Sequence, residues 1–304
     1  MAVGSASSGT RRFYRLYDCN PNRSRRARFE PTMRASSIAL IAASCLVGCA
    51  TPVERFDARV HAAGLAPRVV KGATFDHLVV EKPGDGSALH VYIEGDGTPW
   101  QTLDIPSNDP TPRTPVAFEL MLRDQNRAIY LGRPCYFGVR GQRCEVLAWT
   151  HERYSDRVVQ SMASALSAAR SSGTPVVLIG HSGGGVVAVL LARRIDDVEA
   201  VVTIGANLDV AAWAALHRYA PLSGSLDPAG LPPAMAPQEQ HHVGSADRVV
   251  PAAQLRAYAR GRPNVEIVEW EGFDHVCCWS DVWTEILATV AHRDRRGSVV
   301  RNLR

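Results

Sequence analysis

Along residues 75–292, short β-rich runs alternate with longer stretches whose apolar residues recur at helical spacing. The strand candidates are His77–Glu81, Leu89–Ile93, Ala128–Leu131, Val176–Ile179, Ala200–Ile204, Gln240–Val243 and Val265–Trp270. Several are continuous apolar runs, the pattern of strands covered on both faces of a parallel sheet. Between them, Ser155–Ser171 places Val158, Val159, Met162, Ala165, Leu166 and Ala169 on one helical face, and Val186–Ile195, Ala252–Ala259 and Ser280–His292 read as helices in the same way. This alternation predicts an α/β fold, a mostly parallel central sheet flanked by helices. Pro221–Gln238 breaks the rhythm with five prolines. It marks an irregular, lid-like insertion near 207–238.

The N-terminal part reads differently. Ile38–Val47 is an apolar run of ten residues after Met33-Arg34, well short of the roughly 20 that span a bilayer, and has the layout of a signal peptide. Leu46-Val47-Gly48-Cys49-Ala50 resembles the lipobox of bacterial lipoproteins, in which the cysteine is acylated and becomes the first mature residue. That resemblance implies export and a membrane anchor through fatty acyl chains such as palmitate on Cys49, in the bacterial cell envelope on the periplasmic side of the outer membrane. More than one acyl chain suffices for stable attachment without a spanning helix. The expected organisation is an upstream extension or disordered leader over 1–32, a signal peptide over 33–48, a linker over 49–74, one domain over 75–292 and a basic tail over 293–304. Removing 48 of 304 residues leaves 256, enough for one large α/β domain.

Charge and cysteine usage agree with this division. Of the net +4, residues 1–34 contribute +6 (eight Arg, two acids) and the last twelve residues +4 (five Arg, one acid), which leaves −6 for the body. A mildly acidic body has no footprint for nucleic acid. With Cys19 and Cys45 in the removed segment and Cys49 acylated, Cys135, Cys144, Cys277 and Cys278 remain. An even number in an oxidising compartment suggests two disulfides with three possible pairings, local or crosswise, and the sequence leaves these open. Adjacent cysteines lack the Cys-x-x-Cys spacing of structural zinc sites.

Gly180-His181-Ser182-Gly183-Gly184 follows the apolar run Pro175–Ile179 and opens the helix Val186–Ile195. A Gly-x-Ser-x-Gly at a strand-to-helix turn is the setting of a nucleophile elbow, which projects the serine hydroxyl while small neighbours avoid clashes. Here the chain resembles the α/β-hydrolase superfamily of serine hydrolases, from about Phe75 to Val290. The resemblance implies the order serine, acid, histidine. Ser182 is then the nucleophile, and His275, in Gly272-Phe273-Asp274-His275 after the last strand, its general base. Asp247, in Gly244-Ser245-Ala246-Asp247-Arg248-Val249-Val250-Pro251, matches the family's Gly-x-x-Asp-x-x-Val-Pro stretch as the acid, with Asp209 the runner-up. Asp274 stands too close in sequence to orient His275. His241 and His242 lie in a strand and His217 in a helix, and His181 is expected to pack or hydrogen-bond locally.

An oxyanion hole needs fixed N–H donors. Gly183 supplies one, and the loop Glu94-Gly95-Asp96-Gly97, where relatives often carry His-Gly-Gly-Gly, supplies the other through Asp96. The Asp96 carboxylate repels an oxyanion unless it turns away or is paired, for instance with Arg133, which alternatively binds an acidic substrate group. Tyr136, Phe137, Trp149, Trp213 and Trp279 are either acyl-pocket walls or core. The expected activity is that of an envelope-anchored esterase or lipase-like hydrolase of a small or lipidic carboxylic ester, without metal or diffusible cofactor. An acyltransferase or peptidase using the same triad, or a binding or scaffolding lipoprotein with little turnover, are the alternatives.

Overall fold

The computed structural model describes residues 50–293. The signal peptide, Cys49, the leader and the tail beyond Arg293 lie outside the described residues. An eight-stranded sheet runs in the order β1-β2-β4-β3-β5-β6-β7-β8. Its strands are β1 Pro67–Lys71, β2 Asp76–Lys82, β3 Asp85–Ile93, β4 Asn126–Leu131, β5 Val176–His181, β6 Val198–Ile204, β7 Gln238–Gly244 and β8 Val265–Trp270. Pairing of β1 with β2 and of β2 with β4 is antiparallel, and from β4 onward every pair is parallel. The helices are α1 Pro52–Ala62, α2 Val116–Arg123, α3 Asp156–Ala169, α4 Gly183–Leu191, α5 Val210–Leu216, α6 Ala252–Ala259 and α7 Trp279–Arg293.

Hydrophobic pattern explains the centre of the sheet. All six residues of β5 are buried, and all nine of α4, Gly183-Gly184-Gly185-Val186-Val187-Ala188-Val189-Leu190-Leu191, are buried as well. A helix apolar on every side belongs inside, packed on a sheet and under its neighbours. Trp283 of α7 donates Nε1–H to the Tyr92 hydroxyl at 3.0 Å, and that hydroxyl donates to Asp124 at 2.6 Å. This seats the last helix on β3.

The segment 49–74 is not a linker. It carries α1 and β1, which belong to the same compact unit as the rest of the fold, Pro52 onward. Phe56 of α1 lies 5.1, 5.3 and 4.6 Å, centroid to centroid, from the rings of Phe118, Tyr130 and Phe137. Burial of such a ring stabilises by about 1.5–3 kcal/mol. The stretch 207–238 holds α5 and a 3-10 turn at Pro228–Gly230 between irregular segments.

Register decides where chemistry collects. Ile93, Gly180, Thr203 and His241 stand in one row across β3, β5, β6 and β7. The chain therefore leaves all four strands at the same edge, the carboxyl end, where open parallel sheets place their sites.

Candidate active site

Ser182 sits between the end of β5 and the start of α4 with φ 52° and ψ −125°. A non-glycine residue in that region costs of order 1–3 kcal/mol and persists only where its surroundings enforce it. Here the Ser182 N–H donates to the Ile204 carbonyl at 2.8 Å, and the Ser182 carbonyl accepts from Gly185 N–H at 2.9 Å. The side chain is partly exposed, whereas Gly183 to Leu191 behind it are buried.

The next residue after Ile204, Gly205, locates the other two predicted partners. It has φ +55°, and a Cβ there would stand 3.0 Å from both Asp247 Oδ2 and His275 Nδ1. The imidazole and the carboxylate lie against the backbone that also anchors the serine, so a side chain at 205 would drive into them. His275 Nδ1 donates to Asp247 Oδ2 at 2.8 Å. Asp247 is held from its other oxygen, Oδ1, which accepts from Val249 and Val250 N–H at 2.8 Å each. The carboxyl group is inaccessible to solvent, while the imidazole is 15% exposed. Burial lowers the His275 pKa below the ordinary 6.5; the Asp247 hydrogen bond opposes this and the neighbouring His181 adds to it.

The competing residues are otherwise engaged. Asp209, the runner-up acid, caps α5 by accepting Ala212 N–H at 2.8 Å. Asp274 accepts from Val276 N–H at 2.8 Å and Cys277 N–H at 2.6 Å, which holds its carboxyl below the usual range. His241 bridges Thr203 and Glu239, His242 bonds Gln240, and His217, at the end of α5 rather than within it, reaches the Val249 carbonyl at 2.7 Å. His181 departs from its expected local bonding: its Nε2 lies 2.9 Å from the carbonyl oxygen of His275, 94 residues away.

Gly183 is the first residue of α4, so its N–H has no intrahelical acceptor. Asp96 reaches the same place with its side chain: a Cβ on Gly183 would stand 2.1 Å from Asp96 Oδ1. Its charge is paired, by Arg133 as one reading anticipated and also by Arg153 at 3.1 Å and the Tyr154 hydroxyl at 2.6 Å. Burial alone would raise the Asp96 pKa, but the two guanidiniums and the Tyr154 hydroxyl outweigh it and hold the carboxyl below its usual range. Arg133 is further placed by the rings of Tyr136 and Tyr154, each 5.3 Å from its guanidinium carbon. Tyr136 donates its hydroxyl to the Asp96 carbonyl at 2.9 Å. Arg153 and Tyr154 had no local sequence signature, and neither did the role of Glu94, whose carboxylate is buried behind the same loop.

Tyr136, Phe137, Trp149, Trp213 and Trp279 are all buried members of the hydrophobic core. The cysteines pair locally, Cys135 with Cys144 and Cys277 with Cys278, which removes the crosswise alternative. Among the described residues no group of His, Cys, Asp and Glu is arranged to hold a metal ion, and no helix is long and apolar enough to cross a membrane.

No protein-family model matches the chain, and no curated protein does. Solved structures do match in shape. An esterase of Pyrococcus furiosus, Pf2001, superposes with a TM-score of 0.55 at 12% identity, over 82% of this chain and 95% of that one. A membrane phospholipase A described as a bacterial virulence factor gives 0.53 at 15% identity, over 86% and 97%. The mouse alpha/beta hydrolase domain-containing protein 10 gives 0.54 at 14%, over 75% and 97%. Sheet order, strand directions and these superpositions together assign the chain the α/β-hydrolase fold.

Proposed function

We propose that the protein is a serine hydrolase that cleaves a carboxylic ester through an acyl-enzyme. The observation that carries this reading is the His275–Asp247 pair, 2.8 Å apart and seated on Gly205 beside the elbow that presents Ser182. Nδ1 of His275 is committed to Asp247, so Nε2 is the nitrogen left to accept the serine proton. Ser182 Oγ attacks the ester carbonyl carbon while its proton passes to Nε2. The oxyanion is received by the Gly183 N–H and the Asp96 loop. Collapse breaks the bond to the alkoxide, which leaves with the proton from His275. Water then gives a proton to the same nitrogen, attacks the acyl carbon, and releases the acid and free Ser182.

Asp247 keeps the imidazole in the tautomer this sequence requires and stabilises its cation. The lowered pKa of His275 keeps it unprotonated, and so competent as a base, somewhat below pH 6.5. Acylation of Cys49 and residence on the envelope membrane belong to the same proposal, and they rest on the lipobox-like Leu46–Ala50. An anchored enzyme meets lipid esters in its own surface, and the phospholipase among the structural neighbours makes them sensible first substrates alongside short esters.

Labelling by a fluorophosphonate tests the mechanism. The full chain should react at neutral pH and Ser182→Ala should not; a folded, unlabelled wild type would overturn the reading. Hydrolysis of esters of graded acyl length then sets the substrate range. Palmitate incorporation should vanish in Cys49→Ser, and unchanged incorporation would remove the anchor.

A further inference from the structure

His181 ends β5 one residue before the nucleophile, and its side chain is 8% exposed. Its two ring nitrogens point at two different parts of the site. Nε2 lies 2.9 Å from the backbone carbonyl of His275, and Nδ1 lies 3.5 Å from Glu94 Oε1. A carbonyl only accepts, so Nε2 carries a proton and donates it.

Glu94 is fixed before it meets the ring. Its carboxylate accepts from Gly95 N–H at 3.2 Å, Ala117 N–H at 3.3 Å, Phe118 N–H at 3.4 Å and the Tyr130 hydroxyl at 3.4 Å. Two of those amides belong to the first turn of α2, where a helix favours negative charge. A buried carboxylate with four donors is fixed in place, and with the proton of the ring on Nε2 the 3.5 Å approach of Nδ1 is a contact rather than a hydrogen bond.

We propose that His181 is a positioning residue for the general base. The proposal rests on the serine-hydrolase reading of Ser182, His275 and Asp247. His275 lies in the loop between β8 and α7, outside the sheet. Its ring is held by Asp247 at Nδ1 and its backbone carbonyl by His181. Because His181 and Ser182 are consecutive, the hydroxyl and the backbone of the residue that must receive its proton are referenced to the same turn. A shift of the histidine loop relative to the elbow would break the 2.9 Å bond first. The benefit falls on the chemical step, since the bond acts on the backbone of the general base.

Two amides of different length separate this role from packing. In His181→Gln the side-chain N–H reaches about as far as Nε2 and restores the bond to the His275 carbonyl. In His181→Asn it stops near the level of Nδ1 and leaves that carbonyl without its donor. On a short ester, with the full chain, the Gln variant should keep kcat within about threefold of wild type. The Asn variant should lose roughly tenfold, the weight of one hydrogen bond, with KM unchanged within about twofold. The rate of fluorophosphonate labelling should follow kcat. Equal kcat in the two variants would overturn the proposal, and so would a loss carried by KM.

Circular dichroism on each variant checks the fold. If His181→Asn does not fold, His181→Gln decides the matter: a tenfold loss of kcat in the folded Gln variant overturns the donor role. Failure of the underlying reading looks different, because the wild type itself would then go unlabelled, and the proposal would fall with it.

Discussion

Two settings of a serine and a histidine among the described residues are built for opposite ends. His77 of β2 is completely buried, with Nδ1 on the Gly132 carbonyl at 3.0 Å and Nε2 on the Ser161 hydroxyl at 2.9 Å. Ser161, on α3, accepts from Thr74 and Phe75 N–H at 3.2 and 2.9 Å. This pair rivets α3 to the edge of the sheet, and every polar atom in it is matched. In the candidate site the serine is partly exposed on a strained turn, the histidine is backed by a carboxylate, and one ring nitrogen is left over. A serine near a histidine is therefore not yet a nucleophile. Access, an enforced backbone conformation and an acid behind the base distinguish the second arrangement from the first.

The sharpest way to break that comparison is to remove each hydroxyl in turn. Ser182→Ala should abolish fluorophosphonate labelling and lower kcat for ester hydrolysis by roughly 10⁴-fold or more. Ser161→Ala should leave labelling intact and cost about 1–3 kcal/mol of stability in urea, because it orphans the buried Phe75 N–H, the part-buried Thr74 N–H and the His77 ring. Labelling that survives Ser182→Ala, or disappears with Ser161→Ala in a folded protein, would reverse the assignment.

The acid gives the next largest effect. Asp247→Asn should reduce kcat by about 10³- to 10⁴-fold, since the amide presents a donor to Nδ1 and favours the wrong tautomer. Asp209→Asn should leave kcat within about twofold and lose at most about 1 kcal/mol of helix capping. In wild type, the acid limb of kcat/KM should have its midpoint below pH 6.5, because burial lowers the His275 pKa. A midpoint above 6.5 would show that the Asp247 bond outweighs burial.

What could be read from the chain follows from how local each signal is. β5 and α4 are buried without interruption, so the apolar pattern places a strand-to-helix turn where Gly180–Gly184 stands. β8 was read to its observed ends and α7 to within a residue, which put His275 after the last strand. Short elements escaped: α1 exposes most of its surface and buries only Phe56 and Val60, and β1 has five residues with one buried. Contacts across the sequence escaped altogether. Arg153 meets Asp96 from 57 residues away, and His181 meets His275 from 94. A lone arginine before a helix, or a histidine beside a serine, carries no periodicity to announce such partners.

Charge pairing near Ser182 supplies a smaller test. Arg133→Met should leave Asp96 with Arg153 and Tyr154 only, so that part of its negative charge faces the developing oxyanion. A fall of roughly 10- to 100-fold in kcat/KM is expected, together with a loss of stability because a buried charge has lost a partner. The same substitution would have no counterpart at Ser161, whose surroundings hold no carboxylate in hydrogen-bond contact. Unchanged kcat/KM would mean that Asp96 is neutralised well enough by Arg153 alone.

The smallest effect on activity, and the clearest on stability, belongs to His77. Burial, only partly offset by the Gly132 carbonyl and Asp76, lowers its pKa from 6.5 to about 4. The folded protein thus binds this proton more weakly than the unfolded chain does. The neutral ring contributes its full stability above pH 6.5, and the contribution is lost as pH falls from 6.5 towards 4. The drop from 6.5 to about 4 corresponds to about 3 kcal/mol, fully lost only below pH 4. Urea unfolding at pH 7, 5.5 and 4 should show this slope in wild type. His77→Asn, whose amide stands near the level of Nδ1 and can still donate to the Gly132 carbonyl, should be weaker at pH 7 but flatter between pH 6.5 and 4. A variant with the same slope as wild type would move the acid sensitivity to another group and leave His77 a rivet without a titration.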